Sequence, residues 1–289
     1  MTTLWLPLTL LSAFSLATSD ALTKRALTGR NEYLVAWLRL LPALPIFLAP
    51  LPFLHIPPLG RDFFATIALA LPLEALALVL YVKALKLSPL SLTLPFLALT
   101  PLLLLVLPTL LLGERLTATG VLGIVLVALG SYLLNAGRAR EGLIAPIRAL
   151  LTEKGSFCMV AVAAIYSVTS VLGKRAIALS SPLVFTSCYL PLLVILFTPI
   201  ALYKGRAELG LIARNGTLRA TALPALFYAL QAAAHVFALD LTNVAYMIAV
   251  KRTSLIFGVL YGRYLFHEKG RLAAASLMLA GVFLIVAGG

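Results

Sequence analysis

Acidic side chains are scarce in this chain. Ten Asp and Glu stand among 289 residues against 23 Lys and Arg, and charged residues of both signs make up only 11%. Soluble domains carry about a quarter charged residues, so this balance excludes an ordinary water-soluble globule. Cysteine is nearly missing as well. Cys158 and Cys188 both fall in apolar runs and fit neither a metal-ligand spacing nor a disulfide framework. They read as small packing residues. The three histidines, His55, His235 and His267, are far apart, and no apolar run holds a pair of acids. A metal site or a Ser–His dyad therefore has nothing to build on, which argues against an enzyme and against any cofactor. An N-terminal signal peptide would need a cation ahead of its apolar core, and MTTLWLPLTLLSAFSL has none.

Hydrophobic residues, by contrast, make up 62% of the chain. Runs of about twenty apolar residues, the length that crosses a bilayer, recur from end to end. The pattern predicts ten spans, at 4–22, 33–54, 63–83, 88–112, 117–135, 157–177, 183–203, 220–239, 244–266 and 271–288. The net charge of +13 has no solvated basic domain to sit on, so nucleic acid is not an expected partner. Positive charge in a multi-pass protein gathers in loops beside anionic lipid. Membrane lipid and a small-molecule substrate are the expected partners, with a monomer as the expected assembly.

The two halves echo each other. Thr18-Ser19 followed by Lys24-Arg25-Ala26 reappears as Thr169-Ser170 followed by Lys174-Arg175-Ala176. Pro42 and Pro50 match Pro191 and Pro199, Tyr81-Val82-Lys83-Ala84-Leu85 matches His235-Val236-Phe237-Ala238-Leu239, and Gly113-Glu114 matches His267-Glu268. The matches keep their order at offsets of 149 to 154 residues, the signature of a duplication. Residues 1–137 form one five-helix repeat, 138–156 a connecting loop, and 157–289 the second repeat. Five is odd, so the second half enters the membrane from the opposite side. Such inverted repeats build secondary transporters, with the substrate near the midplane between them. The fold class expected is all-α and polytopic: ten transmembrane helices in two inverted repeats around a central cavity.

Five plus five spans, Gly113-Glu114-Arg115 after span four, Glu268 at the equivalent place, Gly123 and Gly130 in span five, and the run Ala249-Val250-Lys251-Arg252-Thr253 together resemble the EamA branch of the drug/metabolite transporter superfamily. The resemblance covers nearly the whole chain. It implies a multi-pass protein of the cell (inner) membrane that exports or exchanges small metabolites, often amino acids.

The candidate binding residues are the polar groups that fall inside spans. Lys251 and Arg252 come first, since a cation at mid-bilayer costs about 2.5–3.5 kcal/mol on insertion scales. In a regular helix they point about 100° apart. One is then expected to meet substrate while the other pairs or snorkels, and Arg252 is favoured because a guanidinium grips a carboxylate or phosphate with two bonds. Tyr228, Gln231 and His235 share one face of span eight at i, i+3 and i+7. Glu74 and Tyr81 in span three, Arg39 in span two, Tyr166 in span six, and Ser15 and Ser19 in span one complete the set. Glu74 reads either as counter-ion of Lys251 or Arg252 or as a proton-coupling acid, Arg39 as a site residue or a cation snorkelling to the interface. The hydroxyls either line a wet cavity or bond helix to helix. Asp20, Lys24, Arg25, Lys174 and Arg175 fall near helix ends, where charge costs little. Arg263, three turns past Arg252, is a candidate for an exit path.

More cations than acids at the centre favour an anionic or zwitterionic solute, with amino acids and other small carboxylates ahead of organic phosphates. A cation or drug exporter built on Glu74 is the alternative, and a lipid-acting intramembrane enzyme a weaker one. No ATP-binding motif is present, so the energy must come from a gradient or an exchange. Lys and Arg crowd the loops after odd-numbered spans, leaving only Arg61, Arg115, Lys174 and Arg175 on the other side. Positive-inside logic puts both termini outside the cytoplasm, whereas the family resemblance implies both inside.

Overall fold

The computed structural model describes residues 4–88, 94–136, 153–265 and 273–288. Among the described residues every regular element is helical. We number the α-helices in chain order: α1 Trp5–Ala26, α2 Glu32–Leu40, α3 Ala43–Leu48, α4 Arg61–Leu87, α5 Leu99–Leu103, α6 Leu107–Leu112, α7 Ala118–Ala136, α8 Lys154–Ala178, α9 Pro182–Leu209, α10 Thr217–Leu241, α11 Val244–Lys251, α12 Ser254–Leu265 and α13 Ala273–Gly288. Short 3-10 turns at Leu51–Phe53 and Leu94–Ala98 complete the second and fourth expected spans. Six segments are long and apolar enough to cross a membrane, and three shorter apolar helices accompany them. With α1, whose 22 residues reach about 33 Å at 1.5 Å per residue, they occupy the ten expected places.

Three of these segments are broken. In the second, the chain turns at Leu41 and Pro42 before α3; proline lacks the N–H that an uninterrupted helix would use there. The fourth is divided by Pro95, Pro101 and Pro108 into a 3-10 turn and two short helices. Residues 89–93 of this expected span lie outside the described residues. The ninth breaks without proline, at Arg252 and Thr253. There the N–H groups of Arg252 and Thr253 reach back only three residues, to Ala249 and Val250, each at 3.0 Å, which is 3-10 geometry. Pro191 and Pro199, the partners of Pro42 and Pro50 in the sequence echo, sit inside a continuous α9.

Three helix pairings hold the bundle: α1 on α10, α4 on α8, and α7 on α13. Exchanging the halves turns the first pairing into the second and maps the third onto itself. Two lysines obey the same exchange. Lys24 Nζ, near the end of α1, donates to the carbonyls of Leu85 at 3.2 Å and Ser88 at 3.4 Å. Lys174 Nζ, near the end of α8, donates to Leu239 at 2.6 Å, Asp240 at 2.9 Å and Thr242 at 3.2 Å. Each ammonium thus caps carbonyls left open at the end of α4 or α10. On one face the turn before α7 clips onto the start of α11. Val244 N–H donates to Glu114 at 3.0 Å, Asn243 Nδ2 to the Arg115 carbonyl at 3.2 Å, and Thr117 N–H to the Tyr246 hydroxyl at 2.9 Å. Burial holds the Glu114 carboxyl above the usual carboxylate range, opposed by the Val244 hydrogen bond and the charge of Lys174.

The α7–α13 crossing depends on two glycines. A Cβ on Gly281 would lie 2.5 Å from the carbonyl oxygen of Gly123, and one on Gly123 would lie 2.6 Å from that of Gly281. Both obstacles are backbone, so the helices would have to separate. We expect Gly281→Ala to cost about 1–3 kcal/mol, read as a lower thermal midpoint in detergent; an unchanged midpoint would mean the crossing is looser than this.

Candidate functional site

The charged residues that the sequence places inside spans converge on one cavity of about 190 Å³. That is room for about a dozen waters, a size suited to a small solute and far too small for a macromolecule. Helix α4 brings Glu74 and Tyr81, α8 brings Tyr166, α10 brings Tyr228, Gln231 and His235, and α2 brings Arg39. Lys251 and Arg252 close it from the ninth segment. Both line the cavity, one of them, Lys251, with a partner in His235.

Their surroundings differ. Lys251 Nζ lies 3.1 Å from Nδ1 of His235. With Lys251 charged, its ammonium donates and the ring accepts at Nδ1. Arg252 is 4% exposed and makes no hydrogen bond or ion pair among the described residues, with its Nε buried and unsatisfied. Arg39 does not snorkel. It is 3% exposed, with Nη2 donating to Asp20 Oδ1 at 3.0 Å and its guanidinium carbon 4.9 Å from the centre of the Tyr228 ring.

Asp20 is the residue the sequence reading misplaced. Counted along the chain it lies near the end of a span, but α1 continues to Ala26 and the carboxylate is buried. Its second oxygen accepts from the Tyr81 hydroxyl at 2.5 Å. Among the described residues the ion pair inside the membrane is therefore Asp20–Arg39. Among the described residues Glu74 has no cation within ion-pair distance of its carboxylate; Lys251 acts on it through space.

Ser15 and Ser19 are not brought to the cavity. Ser19 Oγ donates to the carbonyl of Pro224 at 2.7 Å and Ser12 Oγ to that of Gln231 at 3.2 Å, both on α10. Ser15 Oγ is buried without a partner. This stripe bonds α1 to α10 and does not wet the cavity. The side chain of Arg263 lies outside those described, as do His267 and Glu268. The cavity also holds residues the sequence reading passed over: Thr169, Thr186, Phe185 and Tyr189. Phe185 and Tyr189 stack with ring centroids 4.9 Å apart. Their i, i+4 spacing was readable, but within the apolar run of α9 it looked like ordinary packing.

Comparison with known proteins gives a family match over part of the chain and likenesses of fold among solved structures. Residues 3–136 match the model of the EamA-like transporter family, part of the drug/metabolite transporter superfamily. No curated protein matches the chain. A solved structure described only as "Crystal structure of protein" superposes with a TM-score of 0.68 over 97% of this chain and 97% of its own, at 18% identity. At that identity the likeness concerns fold alone.

The serine stripe makes a separable prediction. Ser19→Ala should lower stability by about 0.6 kcal/mol, the average for such bonds between membrane helices, and leave ligand binding in the cavity unchanged. Calorimetric unfolding beside a binding titration checks both, and a changed affinity would put Ser19 back in the site.

Proposed function

We propose, from the match of residues 3–136 to the EamA-like transporter family, that the chain belongs to that family and is a secondary transporter of small carboxylate-bearing solutes, amino acids foremost. One observation carries the substrate class: Arg252, a buried cation on the cavity wall without a polar partner among the described residues. A charge in hydrocarbon needs an opposite charge or a polar surround, and an anion in the cavity would supply it. Glu74 lines the same cavity without an ion pair. An unpaired acid and an unpaired guanidinium in one small chamber complement a zwitterion, Arg252 gripping the carboxylate and Glu74 the ammonium.

Alternating access around the cavity follows from the inverted-repeat reading, which residues 1–137 and 157–289 would provide. The exchangeable pairings α1–α10 and α4–α8 and the matched clasps of Lys24 and Lys174 support it. The ninth segment adds further support, because discontinuous helices at mid-membrane form the binding sites of many such transporters. Placement in the cell membrane, with termini outside the cytoplasm by the Lys and Arg distribution, belongs to the same proposal.

A thermal-shift screen of the purified protein against glycine, L-glutamate, L-phenylalanine, benzoate and glucose 6-phosphate tests the class. A bound ligand at a hundred times its Kd adds about 2.7 kcal/mol of stability. We expect a shift with at least one carboxylate, and its loss in Arg252→Gln, since removing one partner of a buried charge pair costs about 2–5 kcal/mol. Stabilisation by all the carboxylates in the variant would take Arg252 out of the site. The second reading, cation efflux through Glu74, expects lipophilic cations to stabilise the protein and Glu74→Gln to abolish that effect.

A further inference from the structure

Asp20 is a carboxylate already occupying a second cation of the cavity wall, Arg39, that a substrate carboxylate gripped by Arg252 could also reach. It reaches Arg39 from behind the cavity wall: Arg39 and Tyr81 line the cavity, and Asp20 holds both. The hold is partial. Only Nη2 of the guanidinium bonds Asp20, at 3.0 Å, while Nε is buried with no partner. A fork that can grip a carboxylate with two parallel bonds is here used through one.

Resting on the transporter reading, we propose that Asp20 is a tethered competitor of the substrate for Arg39, and that it takes up one proton when the substrate's carboxylate displaces it. The exchange explains why a chamber with two other cations would spend one on an internal acid. If Arg39 turned to the substrate while Asp20 stayed ionised, a carboxylate would remain buried without its counter-ion, which is strongly unfavourable. A proton from cavity water removes that charge, and the neutral carboxyl still accepts from Tyr81 through its carbonyl oxygen. When the substrate leaves, Asp20 returns the proton to water and recovers Arg39. Anion and proton thus bind together, and the loaded site gains no net charge from an anion carrying one negative charge.

The other groups facing Asp20 do not replace this role. From α4 and α8 it meets Tyr81 and Tyr166; from the ninth segment, Lys251 and Arg252 act on it through space. From α10, Tyr228 lies against the far side of Arg39. From α12, Tyr261 bonds Thr18, not Asp20. Glu74 is the remaining acid of the cavity, and it has no cation within ion-pair distance to give up.

Titration calorimetry of the intact protein in detergent, with glycine, L-glutamate, L-phenylalanine and benzoate in buffers of differing ionisation enthalpy, counts the protons taken up on binding. The wild type should take up about one proton per anion bound. In Asp20→Asn uptake should vanish while affinity tightens roughly tenfold, because the competing state is gone, and transport in liposomes should slow as KM falls. Asp20→Glu should restore uptake. A wild type that binds a probe without proton uptake overturns the inference and leaves the transporter reading standing, and this outcome needs no variant to fold. Unchanged affinity in Asp20→Asn, or loss of stability and binding together without any change in proton count, makes Asp20 purely structural. Failure of the wild type to bind every probe overturns the transporter reading and this inference with it.

Discussion

Hydrocarbon does not solvate charge, and this constraint arranges the middle of the molecule. Five ionisable side chains, Asp20, Arg39, Glu74, Lys251 and Arg252, come from four of the ten segments and face one another inside the bundle. None could face lipid at mid-membrane without a penalty of several kcal/mol or a local defect in the bilayer. Their convergence determines which face of each helix turns inward. The cavity is a consequence, because long cations and acids of unequal number do not fill space as aliphatic side chains do. Two cations find partners within the protein, Arg39 on Asp20 and Lys251 on His235. The third has none among the described residues, and that imbalance is what the proposed preference for anions rests on.

Backbone geometry serves the same end. The ninth segment breaks where it delivers Lys251 and Arg252 to the cavity. The polar backbone of the 3-10 turn is tolerable because it abuts that cavity and not lipid. Where no charge must be delivered, the bundle is tight instead. At the α7–α13 crossing the glycines allow backbone to touch backbone, and the serine stripe of α1 bonds directly to α10 carbonyls. The contrast between open centre and tight seams separates the hydroxyls that line the cavity from those that join helices.

Much of this was legible in the sequence, because hydrophobic length and charge scarcity are one-dimensional properties. The ten segments emerge within a few residues of their expected ends, and nine of the eleven candidate site residues line one cavity. Ser15 and Ser19 failed because i, i+4 spacing says that residues share a face and nothing about whether that face meets water or a neighbouring helix. Asp20 failed for a different reason. Its depth was judged from an apolar run that ends early, since Ser19, Asp20, Thr23 and Lys24 dilute the hydrophobicity of a helix that in fact continues. A stretch that carries its own polar partners looks like a terminus. The same blindness hid the ninth-segment break, which depends on what Arg252 must reach and not on any proline.

Twin positions of the proposed repeat bear on how such a site can arise. Leu97 and Lys251 stand 154 residues apart, as do Glu74 and Tyr228, and Tyr81 and His235, and all six line the cavity. Leu16 and Tyr166, 150 residues apart, do the same. Both halves thus offer the same wall positions, and the chemistry differs at every one of these pairs. A symmetric set would place either two lysines or two leucines at the Leu97 and Lys251 positions. The first would add uncompensated charge to a chamber already rich in cations, and the second would leave the ninth segment with no partner for His235. The structural matches, the lysine clasps and the helix pairings, are those that hold helix ends and seams, where both halves face the same mechanical demand. Divergence at the wall would give the proposed solute, with a distinct head and tail, different groups on its two sides. A scaffold that moves symmetrically can therefore still hold an asymmetric ligand, provided the residues that differ are not the residues that bear the motion.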